Sequence, residues 1–263
     1  MDKKVKLIIT DLDQTLLKGD KSVSEFTLET LKKCKEKGIS IAIATARSDR
    51  AAKRYIDLIK PDIVITNGGA LGKHNDEVIY KSMLSPSTSD ELIKECVQHA
   101  DFEYVSVVTE AGNYSNSRDL LESGGSYNNV AYNNFEISLN CPTFKITVEA
   151  YNKKSALELA SKYSECSFLT YTGENLCRFA HKDATKDYAI IKLAEHLNID
   201  LSQIAAFGDD HNDIGMIKTC GYGVAVSNAI EEVRQVATHI TYSNEEDGVA
   251  RFIQENFLFR KKA

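Results

Sequence analysis

Lys6-Leu7-Ile8-Ile9-Thr10-Asp11-Leu12-Asp13-Gln14-Thr15 begins as a short apolar run and breaks into polar residues that carry two aspartates one residue apart. Apolar runs of this length read as a strand buried on both faces, as in a parallel sheet. Side chains i and i+2 of extended chain project to the same side, so the spacing predicts Asp11 and Asp13 side by side at the strand's C-terminal end. Two such carboxylates repel each other and do not both ionise readily without a cation nearby. The pair therefore asks for a metal, a lysine or proton chemistry. Taken alone, the same short pattern also fits a solvated turn or a helix cap.

The flanking sequence repeats the first run. Ser22-Val23-Ser24-Glu25 offers a capping box, and Phe26, Thr30, Leu31 and Cys34 follow at helical spacing until Gly38 ends the helix. A second apolar run, residues 39–44, stops at Thr45-Ala46-Arg47. A helix from Ser48 to Lys60-Pro61 leads to a third strand at residues 62–66, which closes on Asn67-Gly68-Gly69. This β-α-β-α-β rhythm predicts a Rossmann-like, doubly wound parallel sheet. It resumes late in the chain. A helix at 187–197 precedes a strand at 204–207, which ends in Gly208-Asp209-Asp210-His211-Asn212-Asp213. Strands at 224–226 and 240–242 and helices to Ala237 and over 247–257 complete it.

Between these flanks the pattern changes. Pro86 and its neighbouring serines read as a break before a helix at 90–100. Residues 104–108 and 144–149 alternate as half-exposed antiparallel strands do. The stretch 113–140 is rich in Asn, Ser, Gly and Tyr, with Gly124-Gly125 at its centre. A helix at 153–163 and a hairpin around Thr172-Gly173-Glu174-Asn175 follow. The expected organisation is an α/β core at residues 1–81 and 183–263, with an inserted α+β domain at 82–182.

The 263 residues, 43% hydrophobic and 27% charged, suit a globular protein of one or two domains. A net charge of −6 argues against a nucleic-acid or acidic-membrane partner, and no run approaches the ~20 apolar residues of a membrane span. Met1-Asp2-Lys3-Lys4 runs directly into the first strand without a secretory pattern. Six scattered cysteines lack metal-site spacing and fit thiols of a reducing compartment, so the expected location is cytoplasmic. The sequence gives no handle on oligomeric state, and a monomer fits it.

In open α/β sheets ligands bind beyond the C-terminal ends of the strands. Those ends carry Asp11 and Asp13, Thr45, Asn67, and the segment from Asp209 to Asp213. The set is rich in hard oxygen ligands, which suit Mg2+, and magnesium sites of this kind take a few carboxylates together with a substrate phosphate.

Asp11-Leu12-Asp13-Gln14-Thr15, Thr45-Ala46-Arg47, Lys186 and Gly208-Asp209-x-x-Asn212-Asp213 resemble, in order, the four motifs of the haloacid dehalogenase-like (HAD) superfamily. The insert, Thr66-Asn67-Gly68-Gly69 at its entrance, Val224-Ala225-Val226-Ser227-Asn228-Ala229 and Glu246-Asp247-Gly248-Val249-Ala250 resemble the Cof-type sugar-phosphatase branch. The resemblance implies that Asp11 is a nucleophile forming an aspartyl-phosphate and that Asp13 is the general acid and base. It implies Mg2+ held by Asp11, the backbone carbonyl of Asp13, and Asp209. Thr45, Lys186, Asn67 and Asn212 would serve the phosphate or substrate, Lys186 would also pair with Asp11, and Asp213 would orient Lys186 or the metal's waters. The implied substrate is a small phosphorylated metabolite, a sugar phosphate foremost, selected by the insert. Three departures stand out: Gln14 and Asp187 occupy positions where glycine is frequent, and Ala46 replaces a commoner glycine.

Each residue also has a plainer reading. Thr45 alone reads as a helix-start residue, Lys186 alone as a solvated helix lysine, and Asp210 and His211 as surface groups. His181 reads as a neighbour of the insert's return, and Arg47 as either a substrate contact or cover for the sheet edge. Tyr114, Arg118, Tyr127 and Tyr171 are candidate substrate contacts within the insert. A phosphomutase using the same aspartyl-phosphate, and a non-catalytic ligand-binding protein, are the alternatives to a phosphatase.

Overall fold

A computed structural model describes residues 4–122 and 130–258. Its first strand, β1 (Leu7–Thr10), is buried at every residue, as the apolar run requires. Helix α1 (Glu25–Glu36) follows, then β2 (Ser40–Ala44), α2 (Asp49–Ile59) and β3 (Ile63–Thr66). A hairpin of β4 (Leu71–His74) and β5 (Glu77–Lys81) continues the sheet. Ser24, rather than Ser22, caps α1 by accepting a hydrogen bond from the Thr27 amide at 3.0 Å. Gly38, at φ +74°, ends the helix as expected.

The inserted part contains α3 (Pro86–Gln98), β6 (Phe102–Val108), β7 (Asn113–Ser115), α4 (Arg118–Glu122), β8 (Val130–Tyr132), β9 (Lys145–Ala150), α5 (Lys153–Ser161), β10 (Cys166–Thr170) and β11 (Leu176–His181). Pro86 opens α3 instead of breaking the chain. Ser85 caps the helix, and proline in the first turn surrenders only an amide that has no intrahelical partner. The predicted hairpin is β10–β11, with Gly173 at φ +75° in its turn. Gly124, Gly125 and Tyr127 lie outside the described residues.

The chain then forms α6 (Lys186–Leu197), β12 (Ile204–Gly208), α7 (Ile214–Thr219), β13 (Tyr222–Val226), α8 (Glu231–Val236), β14 (His239–Thr241) and α9 (Gly248–Ile253). The described residues divide into two compact units. One comprises those of Met1–Ala46, Lys53–Tyr80 and Thr185–Ala263, and the other those of Arg47–Ala52 and Lys81–Ala184.

The first unit is a mixed α/β fold around the sheet β14-β13-β12-β1-β2-β3-β4-β5. Its strands run parallel from β14 to β3, and β4 is antiparallel to β3. Ile8, Ile9, Ile41, Ile43, Ala205 and Phe207 are among the residues of its continuous core, with helices covering the sheet. From β1 the chain builds outward through β2 and β3, and later through β12, β13 and β14 on the other side. The order therefore reverses between β1 and β12, which makes their C-terminal ends the topological switch point. The β4–β5 hairpin has no counterpart in the expected elements. Its signal was the Asn75-Asp76 pair, both at positive φ, the backbone form of a two-residue hairpin turn.

The second unit packs α3 and α5 against the sheet β10-β11-β9-β6-β7-β8, antiparallel except between β7 and β8. One face, with Ile146, Val148, Cys177 and Phe179, builds its own hydrophobic core. No helix among the described residues is long and apolar enough to cross a membrane.

Candidate active site

The ladder between β1 and β12 extends one residue past β1, because the Asp11 amide donates to the Phe207 carbonyl at 3.0 Å. That bond fixes Asp11 beside the segment that leaves β12. Extended alternation then stops. The chain makes one wide turn over residues 12–16, with Gln14 at φ +58°. Such a left-handed backbone is the conformation that glycine adopts at least cost, and Gln14 holds it here. The two aspartates consequently meet different lysines. Lys186 Nζ lies 2.6 Å from Asp11 Oδ1, whereas Lys21 Nζ lies 2.9 Å from Asp13 Oδ1. Lys21 carried no sequence signal, being far from any motif and set in a left-handed backbone at φ +65°.

Lys186, which alone reads as a solvated lysine, is 1% exposed. Its placement follows from the start of α6. Thr185 caps the helix through the Tyr188 amide, and Gly69 lets the Asn67–Gly69 turn lie directly against this cap. A Cβ on Gly69 would fall 2.2 Å from the Thr185 carbonyl, and the residue has φ +108°, so both space and backbone demand glycine there. Asp187 stands in the first turn of α6, where an anion suits the helix dipole, and its carboxylate fills the space over Gly215.

Asp213 is fully buried and uses both oxygens. Oδ1 accepts from Lys186 Nζ at 2.6 Å, and Oδ2 accepts from the amides of Asp209 and Asp210 at 3.0 and 3.2 Å. A Cβ on Gly208 would fall 2.4 Å from the Asp213 Cβ, so glycine before Asp209 allows Asp213 to fold back beneath the strand end. Asp209 in turn accepts from Thr15 Oγ1 at 2.5 Å. Thr15 belongs to the opening motif, but its tie to a residue 194 positions away was not legible in the sequence.

Thr45 and Asn67 are both buried, on adjacent loops joined by the Gly68 amide donating to the Thr45 carbonyl at 2.9 Å. Asn67 has φ +54°. Asn212 is half-buried on the turn between Asp210 and Asp213, and His211 there is exposed. Asp210 caps that turn through the His211 amide. His181 is half-buried with Nδ1 accepting from the Asp183 amide at 3.2 Å. Arg118 stacks over Tyr132 at 4.5 Å within the second unit. Arg47 also belongs to that unit.

The electrostatics at the switch point are dominated by burial. It pushes the Asp11 carboxyl up; Lys186 pulls it down, and Asp213 and Asp209 push it further up, leaving it raised. Burial works to lower Lys186, but the carboxylates of Asp11 and Asp213 outweigh it and hold the ammonium charged. Asp209 is pushed up to about 7 by burial and by Asp213. One carboxylate oxygen from each of Asp11, Asp209 and Asp213 lies within 4.8 Å of the others. Three carboxylates facing one ammonium leave excess negative charge on hard oxygen donors, the donor set that a divalent cation such as magnesium satisfies. Asp13 contributes no carboxylate to this cluster.

The arrangement offers a carboxylate with an adjacent cation, a second carboxyl held by its own lysine, and a buried hydroxyl and amide on neighbouring strand ends. Such a set can hold an anion and attack it.

The model of the haloacid dehalogenase-like hydrolases matches residues 8–253. The chain is 26% identical over 269 residues to the 5-amino-6-(5-phospho-D-ribitylamino)uracil phosphatase YitU of Bacillus subtilis, covering 98% of this chain and 99% of that protein. It is 25% identical over 284 residues to the phosphatase YwpJ of the same organism, covering 95% and 99%. The fold is also that of the HAD subclass IIB sugar phosphatase BT4131, with a TM-score of 0.85 at 24% identity over 97% of this chain and 100% of that one.

Proposed function

As the chain belongs to the haloacid dehalogenase-like hydrolases, in their Cof-type branch, we propose that it is a magnesium-dependent phosphatase acting on small phosphate monoesters, sugar phosphates foremost, through an aspartyl-phosphate on Asp11. The observation that carries this reading is the buried contact of Asp11 with Lys186 at the switch point of the sheet, beside Asp209. A nucleophilic carboxylate needs a cation that both fixes it and receives an incoming anion, and the position of Lys186 suits both tasks.

In the first step an Asp11 carboxylate oxygen attacks phosphorus, the bond from phosphorus to the alcohol oxygen breaks, and Asp13 gives its proton to that oxygen. In the second, water attacks the phosphorus of the aspartyl-phosphate and gives a proton to Asp13, and inorganic phosphate leaves Asp11. Thr45 donates its hydroxyl to a phosphoryl oxygen, and Lys186 pairs with the phosphoryl charge. Asn67 and Asn212 take amide contacts with the substrate, and Asp213 keeps Lys186 in place. Asp11, the Asp13 carbonyl and Asp209 would hold magnesium, whose charge lets an anionic ester approach a carboxylate.

Residues 1–81 and 183–263 form the catalytic core in this reading, and residues 82–182 a cap that selects the non-phosphate part of the substrate. The names of YitU and BT4131 denote phosphatases of small phosphorylated compounds and sugars, which supports that class. Six free cysteines and small phosphorylated substrates fit a cytoplasmic enzyme.

Phosphate release from a panel of sugar phosphates, nucleotides and cofactor phosphates, with Mg2+ and with chelator, tests the proposal. Release that chelator abolishes supports it. Isomerisation of a sugar phosphate without release points to the mutase, and no turnover of any member refutes an enzyme of this class.

A further inference from the structure

The sheet of the second unit has one face built into its core and one that is not. β9 and β11 are paired with Arg178 opposite Thr147 and Phe179 opposite Ile146. Ile146, Val148, Cys177 and Phe179 enter the core, so alternation sends Lys145, Thr147 and Arg178 to the other face. Lys145 and Arg178 are diagonal cross-strand neighbours, a relation that places Cβ atoms roughly 7–8 Å apart, within reach of long side chains. Arg178 is only 4% exposed, with Nη2 donating to the Ala184 carbonyl at 3.2 Å.

A third cation comes from the segment Arg47–Ala52. Asn113 Nδ2 donates to Ser48 Oγ at 3.3 Å, and Arg50 Nη2 donates to the Ala111 carbonyl at 2.9 Å. Asn113 is paired with Val108, and Val108 with Lys145, so these contacts bring Arg47 to the same row of the sheet. Desolvation, then the charge of Arg178, then that of Arg47 hold Lys145 down at about 7. The same face carries the hydroxyls of Thr147 and Ser106, paired across β9 and β6, and Glu149 stands four residues further along β9.

Cations gathered on a desolvated sheet face repel one another, and an anion bridging them removes that cost while accepting charge-assisted hydrogen bonds. We infer that Lys145, Arg178 and Arg47 form an anion-binding subsite of the second unit, and that the preferred substrates are phosphate monoesters bearing a further carboxylate or phosphate. The second half of this inference rests on the phosphatase reading. Arg47 follows Thr45 by two residues in the chain.

Two matched pairs test it: glucose 6-phosphate against 6-phosphogluconate for a carboxylate, and fructose 6-phosphate against fructose 1,6-bisphosphate for a phosphate. In at least one pair the doubly anionic member should show kcat/KM higher by about tenfold or more, the weight of one charge-assisted hydrogen bond. In Lys145→Met and Arg178→Met that ratio should collapse towards one, chiefly through KM. A ratio near one in both pairs, or one that survives both substitutions, overturns the subsite.

A readout free of turnover separates the two levels. Acylation of Lys145 by acetic anhydride at pH 7, followed by peptide mass spectrometry, should fall several-fold in millimolar phosphonoacetate. The absence of protection overturns the subsite whether or not phosphate is released. Protection without phosphate release from any ester upholds the subsite and refutes the phosphatase.

Discussion

Lys186→Met keeps the length and volume of the side chain and deletes only the ammonium. Lys186 is 1% exposed and lies 2.6 Å from both Asp11 and Asp213, so neither contact is screened by solvent. Removing one partner of a buried ion pair costs about 3–5 kcal/mol, because the remaining charge stays desolvated. Here two carboxylates lose their cation at once, and Asp209 places a third oxygen within 4.8 Å. Protonation of one carboxyl relieves part of this, and burial already favours it for Asp11, which holds the expected loss within that range. At roughly 2–4 °C per kcal/mol for a domain of this size, unfolding should begin some 6–20 °C lower. The assay is calorimetry of the full chain in chelator at pH 7, with phosphate release measured separately in Mg2+. Turnover should fall by about 100-fold or more, the usual effect of losing a donor to the developing charge. A variant within 1 kcal/mol of the parent, or one turning over within tenfold of it, would refute the claim that Lys186 holds the nucleophile and receives the phosphate.

Asp11→Ala should abolish phosphate release while circular dichroism remains native, because Asp213 still neutralises Lys186; residual turnover would remove Asp11 from the nucleophile's role. Asp13→Asn should lower kcat by about 100-fold or more yet leave calorimetric Mg2+ binding largely intact, since its proposed metal contact is a backbone carbonyl; loss of binding together with turnover would assign the carboxylate to the metal. Gly69→Ala should cost about 3 kcal/mol or more in urea unfolding, from the 2.2 Å approach to Thr185 and the φ of +108° together. An alanine variant of parental stability would show that the Asn67 loop is not held against α6.

Much of the site was legible because its residues stand where apolar runs end. Periodicity locates Asp11, Thr45, Asn67 and Asp209 at strand ends without any knowledge of pairing. One local reading failed for a local reason: Pro86 looks like a breaker in sequence but is compatible with the first turn of a helix.

What the sequence determined by itself was the set of elements and the kind of chemistry: buried parallel strands, their polar ends, and an insert of different pattern. The resemblance implied that Lys186 pairs with Asp11; only the tertiary structure brought Lys21 to Asp13 and showed Lys186 buried. The spacing of Asp11, Lys186 and Asp213 spans more than two hundred residues, and nothing in a linear pattern distinguishes a buried lysine from a solvated one. That choice is made when β1 and β12 become neighbours and Gly69 and Gly208 let two backbones close on the same point. Desolvation, which depends on everything packed around a group, then sets the charges that the sequence can only list.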